Sequence, residues 1–194
     1  MNYLAHIHIA DYCSSDIAGN LLGDFIKGDP TGKFPAQIVQ GIKLHRFVDS
    51  YTDQHPLMKQ AKHCFPPPLR RFAPIALDVF WDHCLASNWQ SYHLQPAGES
   101  LQQFCRRMQQ QCDYTIENLP ERYLRVTESM WQDQWLLSYT EMDNIRFALR
   151  RISQRSARMT SVAECYGTLE SHYSQLNELF TDLYPDLLKQ AVNF

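Results

Sequence analysis

The segment from Gly41 to Pro56 sets His45, Asp49 and Asp53 four residues apart. On a helix each four-residue step turns only about 40° around the axis, so the three side chains form one polar stripe. Two carboxylates and an imidazole are poor packing material, but they are donors that a divalent cation takes. Arg46 stands beside the stripe, where a guanidinium suits an anion. The combination points to metal-dependent chemistry on a phosphate.

Other residues can join this stripe. Asp24 lies one helical step from Asn20, which places two oxygen-bearing side chains on one face. Asp78 and Asp82 repeat the four-residue step among large apolar residues, and an ionised carboxylate buried there is costly unless paired or coordinated. His83 adjoins Asp82 but is turned about 100° on a helix, which suits it to donate a proton or to support the site from behind. His6 and His8 are about 200° apart if helical, so at most one of them faces the site. His6 is the expected ligand and His8 a satisfied core histidine. Plainer accounts exist: a solvated face for the stripe, and an ion pair with Arg70 or Arg71 for Asp78 and Asp82. His55 suits a turn, while His63, His93 and His172 carry no spacing signal.

These groups need a scaffold, and the composition describes it. The chain has 194 residues, enough to bury one core, with 44% apolar residues and a formal charge of −3. That charge gives no global reason to expect nucleic acid or an anionic membrane surface, so any acidic partner must meet a local basic patch. The six cysteines show no C-x-x-C spacing, which disfavours zinc ribbons and redox dithiols. The first residues lack a basic start and a long apolar run, and no apolar run approaches a bilayer span. Free thiols without a secretory signal fit a reducing cytoplasm.

Only 7 glycines and few β-branched runs leave little room for a sheet. Helical periodicity instead predicts an all-α, single-domain bundle over residues 1–194. Its metal site is drawn mainly from residues 1–90, and its scaffold and docking surface from residues 98–194. Ser14 or Ser15 caps a helix carrying Ile17, Leu21, Leu22 and Phe25 and ending at Gly28. A second helix runs from about residue 36 to 53 after a loop over residues 28–33. Pro66-Pro67-Pro68 is a rigid break, and Pro74 suits the first turn of a helix running through Trp89. Further helical spacing covers Ser100 to about Glu117, Met142 to Ile152, and a long final helix from Tyr166 to Leu183.

Competing chemistries lack their motifs. There is no Gly-x-Ser-x-Gly elbow and no Gly-x-x-x-x-Gly-Lys phosphate loop. Paired carboxylates can hydrolyse glycosides, but acids spread over several helices with histidines suit metal coordination better. Arg146, Arg150, Arg151, Arg155 and Arg158 crowd one short span, either as a solvated helix face or as a docking surface for an acidic protein.

Four motifs together resemble the bacterial acyl carrier protein phosphodiesterases, also called ACP hydrolyases. They are Met1-Asn2-Tyr3-Leu4-Ala5-His6-Ile7-His8, Gly19-Asn20-Leu21-Leu22-Gly23-Asp24-Phe25, the His45-Arg46-x-x-Asp49-x-x-x-Asp53 stripe, and Arg70-Arg71-x-Ala73-Pro74-Ile75-x-Leu77-Asp78-x-x-Trp81-Asp82-His83. The resemblance runs nearly end to end, through Trp135-Leu136 and Met142-Asp143. It implies an all-α fold like that of the HD phosphohydrolases, with the histidine–aspartate doublet reversed here as Asp82-His83. It also implies hydrolysis of the 4′-phosphopantetheine arm from holo-acyl carrier protein, with manganese favoured over magnesium. The spacing and expected burial of the residues themselves nominate a metal set of Asp24, His45, Asp49 and Asp82, joined by His6 and Asp78, with Asp53 outside it. Arg46, Arg70 or Arg71 would neutralise phosphoryl charge, and His83 would protonate the leaving serine oxygen. The rivals are an HD-type phosphohydrolase of a small nucleotide and a non-catalytic α-helical module that binds acidic proteins.

Overall fold

In the computed structural model, which describes residues 1–112 and 115–194, the chain opens with α1 (Tyr3–Tyr12). Every residue from Leu4 to Ala10 is buried. A helix buried all round is a core element, so the two histidines on α1 start out in the interior. His8 ends there, with its Nδ1 2.7 Å from the Tyr184 hydroxyl, as a satisfied core histidine.

Asp16 caps α2 (Ile17–Leu22) by accepting from the Gly19 N–H at 2.6 Å. α2 then lies directly on α3 (Ala36–Gln54), because glycines stand at the crossing. A Cβ on Gly19 would come 2.6 Å from the Ile38 carbonyl oxygen, and one on Gly41 would come 2.7 Å from the Asn20 nitrogen. No larger residue allows that approach. The helix expected to reach Gly28 stops at Leu22, and residues 23–28 turn away. His55 ends α3 and caps α4 (Pro56–His63), accepting from the Leu57 N–H at 3.2 Å.

The second core helix is α5 (Ala73–Ser87), whose Trp81 is fully buried and stacks on Phe180 at 5.6 Å between ring centres. α6 (Trp89–Tyr92) and α7 (Leu101–Gln111) follow, the latter opened by a capping box between Ser100 and Gln103. α7 ends before the expected Glu117, and Asp113 and Tyr114 of that expected helix lie outside the described residues. Next come α8 (Glu121–Gln132), α9 (Trp135–Ser138), α10 (Met142–Ser153) and a 3-10 turn (Ala157–Val162).

The expected final helix is split at His172 into α11 (Cys165–Ser171) and α12 (Tyr173–Val192). The His172 ring folds back within 3.2 Å of the Thr168 carbonyl oxygen at this break. No strand occurs among the described residues, so the fold is all-α, and none of their helices is long and apolar enough to cross a membrane. Around α1 and α5 pack α2, α3, α10 and α12, which bring three of the expected ligands together.

Candidate metal centre

α1 delivers His6, α3 delivers His45 and Asp49 one turn apart, and the turn after α2 delivers Asp24. The His6 Nε2 lies 3.0 Å from Asp49 Oδ1, and the His45 Nε2 lies 3.2 Å from Asp49 Oδ2 and 3.4 Å from Asp24 Oδ1. The two imidazoles are stacked, with ring centres 3.8 Å apart and planes 15° from parallel. Gly23 makes room for this, since a Cβ there would come 2.2 Å from the His45 ring. Both rings are buried, whereas the side chains of Asp49 and Asp24 are 41% and 52% exposed. The nitrogens thus sit at the bottom of the site and the carboxylates at its mouth.

Charge is shared unevenly in this cluster. Burial favours a neutral His45, but hydrogen bonds with Asp24 and Asp49 outweigh it and push the pKa up to about 9. Burial and the neighbouring His45 push His6 down to about 4. For Asp49, burial opposes ionisation, yet His45 and His6 hold the carboxyl well below its usual range. The α-ammonium of Met1 is also at the site, 2.7 Å from Asp78 Oδ1 and 3.6 Å from Asp49 Oδ1. Its burial works against charge, but Asp78 and Asp49 prevail and raise the pKa to about 10.

Nε2 of His6, Nε2 of His45 and an oxygen of Asp49 can be chosen so that the ligand atoms all lie within 4.8 Å of one another. Two imidazoles with one carboxylate, and Asp24 alongside, suit a first-row divalent ion once His45 has given up its proton. The residues therefore fit the expected metal. Nδ1 of each histidine is buried and has no hydrogen-bond partner, as do both polar side-chain atoms of Asn20, one turn before Asp24.

The remaining expected residues are placed elsewhere. Asp82 is fully buried and accepts from the N–H groups of Leu4 and Ala5 at 2.8 and 3.0 Å. Both its oxygens thus satisfy donors at the start of α1, the work of a helix cap supplied from another helix. Burial nonetheless pushes its pKa up to about 7. Asp78 holds the Met1 ammonium and lines the cleft with Asp53, outside the three-residue cluster.

His83, turned off the face of Asp82, has Nδ1 2.8 Å from the Tyr139 carbonyl oxygen and Nε2 2.9 Å from the Tyr173 hydroxyl. Arg46 donates to the carbonyls of Gly28 and Ile26 at 2.8 and 2.5 Å, clamping the turn after α2. Arg70 donates to the Phe65 carbonyl at 3.0 Å, and Arg71 lies 4.5 Å from the centre of the Phe72 ring. None of these four lines the cleft of about 370 Å³ above the cluster. The basic residue that does is Arg155, together with Tyr3. The sequence signalled Arg155 only as one member of an arginine run, and it gave no sign of Tyr3 or the Met1 ammonium at the site.

The all-α bundle thus sets two imidazoles and a carboxylate, a donor set able to hold a divalent ion, beneath a polar cleft. The family model for acyl carrier protein phosphodiesterase matches residues 1–187, and the chain belongs to that family. Among relatives, the acyl carrier protein phosphodiesterase of Enterobacter sp. (strain 638) is 39% identical over 193 residues, covering 100% of this chain and 98% of that protein. The enzyme of the same name from Photorhabdus laumondii is 37% identical over 193 residues, covering 100% and 96%. That from Escherichia coli O6:H1 is 37% identical over 191 residues, covering 98% and 97%. No solved structure matches this chain.

Proposed function

We infer that this protein is a divalent-metal-dependent phosphodiesterase that removes 4′-phosphopantetheine from holo-acyl carrier protein. The observation that carries the reading is the His6–His45–Asp49 cluster, its two rings buried and its Asp49 lining a cleft, in a chain of this family. His6, His45 and Asp49, with Asp24, would hold manganese or magnesium. When bound, such an ion polarises a phosphoryl group and acidifies water.

The chain's own residues do the rest. Water adds its oxygen to phosphorus, the bond from phosphorus to the carrier serine oxygen breaks, and that oxygen takes up a proton. The products are 4′-phosphopantetheine and apo-carrier with a free serine hydroxyl. Arg155 lies on the cleft and offsets charge that builds on the phosphoryl oxygens. Both ring nitrogens of His83 are engaged, so the proton-bearing group at hand is Tyr3, whose hydroxyl burial and Asp24 push up to about 12.

The substrate is an acidic protein, and Arg150, Arg155 and Arg158 are exposed along α10 and the turn after it. Charges of this kind speed encounter more than they strengthen the complex. Incubating holo-carrier with the protein and manganese tests the reading. Mass spectrometry should show the carrier losing the phosphopantetheine mass, and chelation should stop the loss. Unchanged holo-carrier would refute the assignment.

A further inference from the structure

The cleft over the cluster does not end at the metal centre. Asn2, Tyr3, Val79, Ile152 and Arg155 line it and also line a second cleft of about 370 Å³. The two adjoin at these residues, a waist made by the start of α1, Val79 of α5 and the end of α10 with Arg155 just beyond it. Aromatic rings wall the second cleft, with Trp135 and Tyr139 on one side and Phe147 on α10. Phe147 is 60% exposed, a large apolar ring held in water at the rim. The Arg151 guanidinium lies 5.0 Å from the centre of the Trp135 ring and 6.0 Å from that of Phe147, which braces the two as walls. Several of its polar groups are already engaged: the Asn144 amide donates to the Ser138 carbonyl, the Asn2 amide to the Tyr139 hydroxyl, and Asp133 accepts from the Trp135 indole N–H. A mostly apolar cleft with a few placed amides, and a volume within about 300–1,000 Å³, is the usual form of a small-molecule site.

Resting on the function inferred above, we propose that this second cleft receives the pantetheine arm of the substrate, with Arg155 at the waist meeting the phosphate. Charge complementarity sets the direction. The anionic end of phosphopantetheine is its phosphate, and the waist carries Arg155 beside the metal ligands. The rest of the arm is neutral and linear, with a dimethyl-substituted carbon and two amides. Those groups match apolar walls and the side chains of Asn2 and Asn144. A folded carrier domain is too broad to enter such a cleft, so the arm is the part of the substrate that reaches it. The cleft thereby selects the prosthetic group, while the exposed arginines meet the carrier.

The test uses pantetheine without its phosphate as the probe, titrated by calorimetry into the protein with manganese present. Wild type should bind it saturably. Ala148→Trp, which adds an indole on the cleft wall, should weaken binding by ~10-fold or more, and Phe147→Ala by several-fold. Both variants should keep the wild-type circular dichroism spectrum and the wild-type affinity for apo-carrier. The proposal is overturned if wild type shows no saturable binding, if a folded Ala148→Trp binds pantetheine as wild type does, or if apo-carrier affinity falls in step. Tighter binding of adenosine than of pantetheine would make the cleft a nucleobase site and would also overturn it. Failure of the underlying function shows separately, as wild-type protein that leaves holo-carrier intact, because the titration needs no turnover.

Discussion

The ring of His6 lies flat on the ring of His45, 3.8 Å away, and both Nε2 atoms point at the carboxylate of Asp49. Two imidazolium ions would repel at that distance, so only one ring carries charge. The raised His45 and lowered His6 show which one. A single proton on His45 thus stands between Asp24 and Asp49 where a cation would otherwise serve. A metal bound here would have to displace that proton, because an imidazole ligates only in its neutral form.

Asp49 is the residue both histidines share, so its loss disperses the whole cluster. Asp49→Ala should lower kcat/KM on holo-carrier by ~1,000-fold or more, with helical content unchanged by circular dichroism. Asp49→Asn should be nearly as inactive, since the amide keeps the shape and loses the charge. An active Asp49→Ala protein that binds no manganese would remove the cluster from the chemistry.

Charge at the site also sets how stability follows pH when metal is chelated. The folded pKa of His45 is about 9, above its ordinary 6.5, so its stabilisation is complete below about 6.5 and is lost as pH rises through 9. The Met1 ammonium, raised from 8.0 to about 10, loses its share over the next interval. Thermal melts of chelated protein should therefore show Tm falling by several degrees between about pH 6.5 and 10. Asp49→Asn should flatten the curve, because it removes a partner of both cations. A Tm that holds level to pH 10 would contradict this distribution of charge.

The sequence made part of this site legible and hid the rest for physical reasons. His45 and Asp49 share a helix, so their spacing alone states their geometry. His6 came from weighing one face of α1 against another and lies beside His45, whereas Asp24, expected on a helix reaching Gly28, reaches the same cluster from the turn after α2. Asp82 misleads because an acid buried among large apolar residues looks the same whether it binds a metal or caps a helix. Which it does depends on the start of α1 arriving opposite, and no local pattern encodes that. Arg46 stands beside the stripe in the chain but reaches back to the turn at Ile26 and Gly28, while Arg155 arrives from the far half. The all-α fold was plain from periodicity, yet α8 went unread and the break at His172 has no glycine or proline to announce it.

Asp82 offers a direct separation of cap from ligand. Asp82→Ala leaves the buried N–H groups of Leu4 and Ala5 without acceptors, and should cost ~2–4 kcal/mol of stability. Asp82→Asn keeps one acceptor and should lose less. At a temperature where it is folded, Asp82→Asn should still bind manganese by calorimetry. Complete loss of binding in folded Asp82→Asn would make this residue a ligand.

Under the proposed function the arginines divide between substrate and scaffold, and kinetics can sort them. Arg155 faces the cleft and the solvent, so Arg155→Ala should lower kcat/KM by ~10–100-fold, the loss of one charge-assisted contact to a phosphate. Arg46→Ala should act through the fold, reducing stability by ~1–2 kcal/mol as two carbonyls lose their donor. Turnover of its folded fraction should stay near wild type. Raising salt should depress wild-type kcat/KM more than kcat, because screening slows encounter with the acidic carrier before it touches the chemistry. In Arg155→Ala that dependence should be shallower. If Arg46→Ala instead loses activity at full stability, while Arg155→Ala behaves as wild type at every salt concentration, then the phosphate is met from the α2 side of the cleft.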